Sequence, residues 1–202
     1  METVKVKICG LFRQCDAEYV NIALPNYAGF VFYEKSHRRV TPEQARELRA
    51  AISPAIKTVG VFVNAPKKQI AALCRENVID AVQLHGGEED AYMMELRNII
   101  PGVPIWKAYK IRAASDLEVA AKSAADRVLL DNGYGTGEPF DWSLLGSFPR
   151  PFILAGGLTP DNIPDAISRF HPYAVDISSG VELEGVKDKN KIFAAVAAAR
   201  RS

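Results

Sequence analysis

Short apolar, strand-like runs alternate with helix-like stretches along the whole chain. Eight such runs are bounded by turn residues or helix starts, at residues 4–9, 27–32, 56–63, 81–85, 104–110, 127–131, 151–155 and 174–178. Strict alternation of strand and helix predicts a parallel sheet, either open or closed into a (β/α)8 barrel. Eight units favour closure, and no GxGxxG follows the first strand to support a Rossmann fold. We therefore expect one α/β domain over residues 1–202, a (β/α)8 barrel with eight parallel strands.

Three stretches carry signals for the start of a helix. The sequences TPEQ at 41–44 and SDLE at 115–118 have the spacing of capping boxes. The TP pair at 159–160 is typical of an N-cap followed by proline at the first helical position. The segment 141–148, after the sixth strand-like run, is too short for a full helix.

The charge of the chain is balanced, with 25 Lys and Arg residues against 24 Asp and Glu residues. No basic run is longer than a pair, so we expect a small-molecule ligand and neither a nucleic-acid nor a membrane partner. The sequence has no signal-peptide pattern and no apolar segment of bilayer length, which predicts a cytoplasmic protein. Cys9, Cys15 and Cys74 show no CxxC spacing, which argues against a disulfide framework and against a zinc site.

Alternation along each strand predicts which side chains enter the barrel. One face of a barrel strand points to the interior and the other lies under the helices. In four of the runs the outward positions are aliphatic, and the inward positions carry these polar or titratable side chains: Lys5, Lys7, Cys9, Gln83, His85, Asp131, Asp176 and Ser178. Buried charges are costly unless they pair with one another or serve a ligand. This pattern predicts a site at the carboxyl ends of the strands.

Cys9 and Asp131 are the candidate proton-transfer groups of that site. Lys7 lies two residues before Cys9, about 6.5 Å away on the same strand face, where its charge is expected to favour the thiolate. Cys9 would then act as a base or nucleophile near neutral pH. Asp131, next to Leu129 on the inward face, is expected to be partly protonated by desolvation and to act as an acid. From the residues alone, an aspartate that caps a turn and a thiol that only fills space remain open alternatives.

Two late loops have the composition of phosphate-binding loops. Gly156 and Gly157 follow the seventh run, and Ser179 and Gly180 follow the eighth, where barrels often bind phosphate. The glycine cluster at 133–137 predicts either a loop over the same mouth or a simple turn.

In order along the chain, seven stretches resemble one family, the phosphoribosylanthranilate isomerases: KICG (7–10), GFVFYEKSHRRV (29–40), VGVFVN (59–64), VQLHG (82–86), LLDNGYGTGEPFDW (129–142), LAGGLTPDNI (154–163) and AVDISSGVE (174–182). The resemblance implies a (β/α)8 barrel of tryptophan biosynthesis that catalyses an Amadori rearrangement, with a phosphorylated substrate and without a cofactor or metal. Phe12 departs from the threonine that is usual in the family. The loop at 133–137 also departs from its usual glycine pattern.

The resemblance also implies residue roles. Asp131 would protonate the furanose ring oxygen, Cys9 would remove the proton from sugar C2, and Arg38 would bind the anthranilate carboxylate. The remaining substrate contacts would come from His85 and Asp176 near the sugar or ring and from the phosphate loops, at Gly156, Gly157, Ser179 and Gly180.

Three alternatives stay open at this point. The chain could be another phosphosugar barrel, either a pentose-phosphate epimerase or the histidine-pathway isomerase, although the Cys9 and Asp131 pair and Arg38 argue against both. It could also be a barrel that binds a phosphate ligand without turnover. The sequence does not decide between a monomer and a homodimer.

Overall fold

A computed structural model describes residues 3–131, 145–146 and 148–201. Its eight parallel strands close into a barrel in which each strand pairs with the next and the eighth pairs with the first. The strands are β1 Lys5–Cys9, β2 Tyr27–Val31, β3 Lys57–Phe62, β4 Ala81–Leu84, β5 Ile105–Lys110, β6 Arg127–Asp131, β7 Phe152–Leu154 and β8 Ala174–Ile177. The closed barrel confirms the predicted fold, and each of its eight strands falls inside one of the predicted runs.

Helices follow seven of the eight strands in the described residues. They are α1 Gln14–Ala23, α2 Pro42–Ala51, α3 Lys67–Arg75, α4 Asp90–Ile99, α5 Ala114–Ala121, α6 Ile163–Phe170 and α7 Lys189–Arg200. A small antiparallel hairpin, with strands β9 Glu182–Leu183 and β10 Val186–Lys187, lies between β8 and α7. Most of the segment 141–148, which was expected to be too short for a full helix, lies outside the described residues.

Two buried clusters show that the alternation of inward and outward residues is as predicted. Outward side chains such as Val175 and Ile177 belong to the large cluster between barrel and helices. The barrel interior holds a separate, smaller cluster that includes Trp106 and Leu129. The Trp106 ring meets the Tyr27 ring edge-on, with ring centroids 5.0 Å apart. Apolar side chains therefore fill the middle of the barrel interior, and the polar groups lie toward the carboxyl ends of the strands.

One of the three predicted helix starts is correct and two are wrong. At α2, the Thr41 hydroxyl oxygen accepts a hydrogen bond from the Gln44 backbone N–H. The Gln44 side-chain oxygen accepts one from the Thr41 backbone N–H, as a capping box requires. At α5 the Asp116 carboxylate caps the helix instead, because it accepts from the backbone N–H groups of residues 112 and 113. The helix α6 begins at Ile163, since a turn closed by Asn162 comes between the predicted cap and the helix.

No helix in the described ranges is both long enough and apolar enough to cross a membrane.

Candidate active site

A pocket of about 400 Å³ opens at the carboxyl ends of the strands. Of the residues singled out in the sequence, it brings together Cys9, Arg38, His85, Asp131, Gly156, Gly157, Asp176 and Ser179. Gly180 does not line it. These residues come from β1, β6 and β8 and from the loops after β2, β4, β7 and β8, so the pocket depends on closure of the barrel.

Lys7 and Asp176 form a buried ion pair at the floor of the pocket. The two residues are register partners on β1 and β8, and Lys7 Nζ lies 2.8 Å from Asp176 Oδ2. The Lys7 side chain has no exposed surface, and that of Asp176 is 8% exposed. Burial lowers the pKa of Lys7, but Asp176 and Cys9 outweigh it and raise that pKa above its usual value. Lys7 therefore stays charged, and the Asp176 carboxylate compensates its charge.

The expectation that Cys9 has a lowered pKa is wrong. Burial of the thiol raises its pKa, and this effect exceeds the opposing effect of the nearby Lys7 ammonium. The Asp176 carboxylate raises the pKa of Cys9 further, because it is a negative charge beside a group that would itself become negative. A raised pKa favours the protonated thiol of Cys9 near neutral pH, whereas a positive charge beside the thiol favours the thiolate.

His85 connects Asp131 to the wall of the pocket. His85 Nε2 lies 3.4 Å from Asp131 Oδ2, and the side chain of Asp131 is 14% exposed. On the other side of the ring, Gln83 Nε2 lies 3.0 Å from His85 Nδ1. With the Gln83 amide as donor to Nδ1, the Nε2–H group of the ring faces Asp131. The pair holds the Asp131 carboxyl at the mouth of the pocket.

Arg38 enters the pocket from the loop after β2 with its guanidinium already oriented. Its Nε and Nη2 atoms donate to the two carboxylate oxygens of Glu182, at 2.6 Å and 2.7 Å. These hydrogen bonds raise the pKa of Arg38, although burial opposes them. The arginine is therefore a fixed cation at the edge of the pocket.

The two predicted phosphate loops lie side by side above β7 and β8. Gly156 and Gly157 have φ angles of 85° and 66°, which favour glycine, so the backbone itself lines the pocket here. A Cβ on Gly180 would overlap the carbonyl oxygen of Leu158. Gly180 thus lets the loop after β8 pack against the loop after β7.

Sequence reasoning did not assign roles to several residues that the structure places in or beside the pocket. Gln83 was predicted to face inward, but its contact with His85 was not expected. Glu182 and Lys187 lie on the hairpin after β8, and their contacts with Arg38 and with each other depend on the hairpin's register. The glycine cluster at 133–137 lies outside the described residues. Within the described part of the chain, no three His, Cys, Asp or Glu side chains are grouped so as to hold a metal ion.

Comparison with known proteins places this architecture in one family. The family model described as N-(5'phosphoribosyl)anthranilate (PRA) isomerase matches residues 6–198. The N-(5'-phosphoribosyl)anthranilate isomerase of Endomicrobium trichonymphae is 45% identical over 197 residues, which cover 95% of this chain and 96% of the relative. The corresponding protein of Pseudomonas fluorescens Pf0-1 is 43% identical and covers 99% of this chain and 100% of its own.

Solved structures agree with the sequence relatives. The phosphoribosyl anthranilate isomerase of Thermotoga maritima superposes with a TM-score of 0.87 at 38% identity and covers 98% of this chain and 100% of its own. A second structure, a phosphoribosyl anthranilate isomerase in complex with reduced 1-(o-carboxyphenylamino)-1-deoxyribulose 5-phosphate, superposes with a TM-score of 0.85 at 36% identity, with the same coverage. On these matches and on its own fold, this chain belongs to the N-(5'-phosphoribosyl)anthranilate isomerase family.

Proposed function

We propose that this chain converts N-(5-phosphoribosyl)anthranilate into 1-(2-carboxyphenylamino)-1-deoxyribulose 5-phosphate, with Asp131 as general acid and Cys9 as general base. The chain is an isomerase of tryptophan biosynthesis by its family. The observation that carries the residue assignment is the single pocket lined by Cys9, Asp131, Arg38 and both glycine-containing loops.

The first step opens the sugar ring. Asp131 gives its proton to the furanose ring oxygen, the bond between that oxygen and C1 breaks, and the nitrogen lone pair forms a C1=N bond. The product is a protonated Schiff base, and Asp131 is left as a carboxylate. His85 Nε2, 3.4 Å from Asp131 Oδ2, is placed to donate to that carboxylate.

The second step moves the proton of C2. Cys9, as the thiolate, takes this proton and becomes the thiol, the electrons of the C2–H bond form a C1=C2 bond, and the C=N electrons return to nitrogen. The resulting enolamine becomes the aminoketose when C1 gains a proton and the C2 hydroxyl loses one. The positive charge of the Schiff base, like that of Lys7, favours the thiolate form of Cys9.

Two anion sites hold the ends of the substrate. Arg38 would bind the anthranilate carboxylate, since a guanidinium matches a carboxylate in shape and charge. The backbone of the loops at Gly156, Gly157, Ser179 and Gly180 would bind the phosphate. Between these ends, Asp176 and His85 would contact the sugar.

The assay follows the loss of anthranilate-type fluorescence when the purified chain meets phosphoribosylanthranilate, without added metal. We expect a time course that consumes the substrate at catalytic enzyme concentration. A flat trace with authentic substrate would exclude the isomerase and favour a barrel that only binds the ligand.

A further inference from the structure

Three charged side chains form a buried cluster beside the pocket, which we call the charge cluster: Arg38, Glu182 and Lys187. Glu182 receives two hydrogen bonds from Arg38, at 2.6 Å and 2.7 Å. Lys187 Nζ lies 2.6 Å from Glu182 Oε1, so this oxygen is shared between both cations. The side chains of Lys187 and Glu182 are 0% and 7% exposed. A carboxylate between two cations keeps its charge, and the pKa of Glu182 is lowered although burial opposes this.

The cluster is fixed to the frame of the barrel. Glu182 and Lys187 are opposite one another in the β9–β10 hairpin, so their side chains meet through strand register. Lys187 Nζ also donates to the Ser178 carbonyl oxygen at 2.9 Å, and Ser178 Oγ donates to the Cys9 carbonyl oxygen at 3.1 Å. Burial outweighs Glu182 and lowers the pKa of Lys187. The three acceptors around Nζ are nevertheless those of an ammonium group.

The charges in the cluster do not cancel. An arginine and a glutamate alone would form a neutral pair with little attraction for another anion. Lys187 offsets the charge of Glu182 through the shared Oε1 atom, so the cluster keeps one net positive charge. In the described part of the chain, the Arg38 guanidinium donates to no group except Glu182. Its other N–H groups remain available at the pocket, where Arg38 is a lining residue.

We propose that Glu182 and Lys187 are positioning residues that set the preference of the pocket for a carboxylated aromatic amine. Glu182 fixes the plane of the Arg38 guanidinium, and Lys187 preserves the net charge that attracts the substrate's carboxylate. The inference rests on the proposed role of Arg38 in binding that carboxylate.

The test compares two ligands that differ by one carboxyl group. The first is reduced 1-(o-carboxyphenylamino)-1-deoxyribulose 5-phosphate, and the second is the same compound without the carboxyl group. Dissociation constants are measured by calorimetry for the wild-type chain and for Lys187→Met, Glu182→Gln and Lys189→Met. In each protein, we divide the dissociation constant of the ligand without the carboxyl group by that of the carboxylated ligand. This ratio reports the preference for the carboxylate. Lys189 is exposed and outside the cluster, so Lys189→Met controls for loss of a lysine near the hairpin.

We expect Lys187→Met to reduce the ratio about tenfold, because the cluster then has no net charge and the carboxylated ligand binds more weakly while the other ligand binds as before. Glu182→Gln adds a net positive charge to the cluster but loosens the Arg38 guanidinium. We expect it also to reduce the ratio, because the orientation of Arg38 matters more than the added charge. Lys189→Met should keep the wild-type ratio. Unchanged binding of the ligand without the carboxyl group shows that each variant is folded, and either variant alone suffices for the test.

Two results would overturn the inference. The first is a wild-type ratio in both cluster variants. The second is tighter binding of the carboxylated ligand to Glu182→Gln, which would show that Glu182 competes with the substrate for Arg38. Failure of the proposed function is a separate outcome, because then the wild-type chain itself would bind both ligands equally or neither of them.

Discussion

Lys7 Nζ lies 2.8 Å from Asp176 Oδ2 at the junction of β1 and β8, with the lysine side chain fully buried. Burial of the Cys9 thiol raises its pKa more than the Lys7 charge lowers it, and the Asp176 carboxylate raises it further. A lysine two residues from Cys9 therefore does not make the thiol acidic. In the proposed reaction, the positive Schiff base adds to the effect of Lys7 on the thiol.

The titration of Cys9 should reflect this burial. A raised thiol pKa means that the fraction of Cys9 present as thiolate in the free enzyme increases with pH through a value above the ordinary thiol pKa of about 8.5. We expect the ultraviolet absorbance of the Cys9 thiolate, taken as the difference between the wild-type chain and Cys9→Ala, to rise from pH 7 to pH 9 without reaching a plateau. A profile that is level from pH 7 upward would mean that the thiol ionises more easily than its surroundings indicate.

Asp131→Asn should lower kcat by at least about 10²-fold, the scale of a general acid–base group. Asparagine keeps the size of the side chain, but its amide is not acidic enough to give a proton to the ring oxygen. Steady-state kinetics measures the loss, with Asp165→Asn on the exposed part of α6 as the control that should behave like the wild type. Near-normal turnover in Asp131→Asn would remove this residue from the role of acid.

Lys7→Met should lower the free energy of unfolding by about 3–5 kcal/mol, because it leaves the Asp176 carboxylate buried without its partner. Replacing both residues, as Lys7→Met with Asp176→Leu, should recover much of this loss, since no buried charge then remains. Urea titration measures both, and Lys68→Met on exposed α3 should change stability by less than about 0.5 kcal/mol. A double variant as unstable as the single one would contradict the ion-pair explanation.

Gly180→Ala should raise KM, because its Cβ would overlap the Leu158 carbonyl and push apart the two loops proposed to bind phosphate. The matched control is Gly87→Ala, where a Cβ would meet only Asn64 Oδ1, at 3.8 Å. Competition by inorganic phosphate measures the anion site directly and should weaken in Gly180→Ala alone. Equal inhibition of both variants would place the phosphate elsewhere.

The strands and the inward side chains were predictable because they depend on local alternation. A period of two residues assigns Cys9, Asp131 and Asp176 to the interior wherever the barrel closes, and eight repeated units predict that closure. The charge cluster was not predictable, because its contacts depend on the strand register of the β9–β10 hairpin, in which Glu182 is opposite Lys187. The direction of the Cys9 pKa shift was wrongly predicted mainly because burial of the thiol depends on the packing of the closed barrel, and also because the partner of Lys7 lies 169 residues away.

Helix starts were less predictable than strands. The capping box at α2 forms as its sequence indicates, but at α5 Asp116 caps the helix in place of Ser115, which lies inside the first turn. An Asp, Asn, Ser or Thr near a helix start can cap it at neighbouring positions, and tertiary packing selects among them.

A single-turnover experiment with excess enzyme tests the role of Cys9 most directly, since product release does not enter it. Wild-type chain, Cys9→Ala and Cys74→Ala are mixed with phosphoribosylanthranilate, and the binding of the reduced product is measured for each protein. The account predicts at least about 10²-fold slower conversion by Cys9→Ala with near-normal binding, and a wild-type rate for Cys74→Ala, whose thiol lies on α3 away from the pocket. Conversion by Cys9→Ala at the wild-type rate would contradict it.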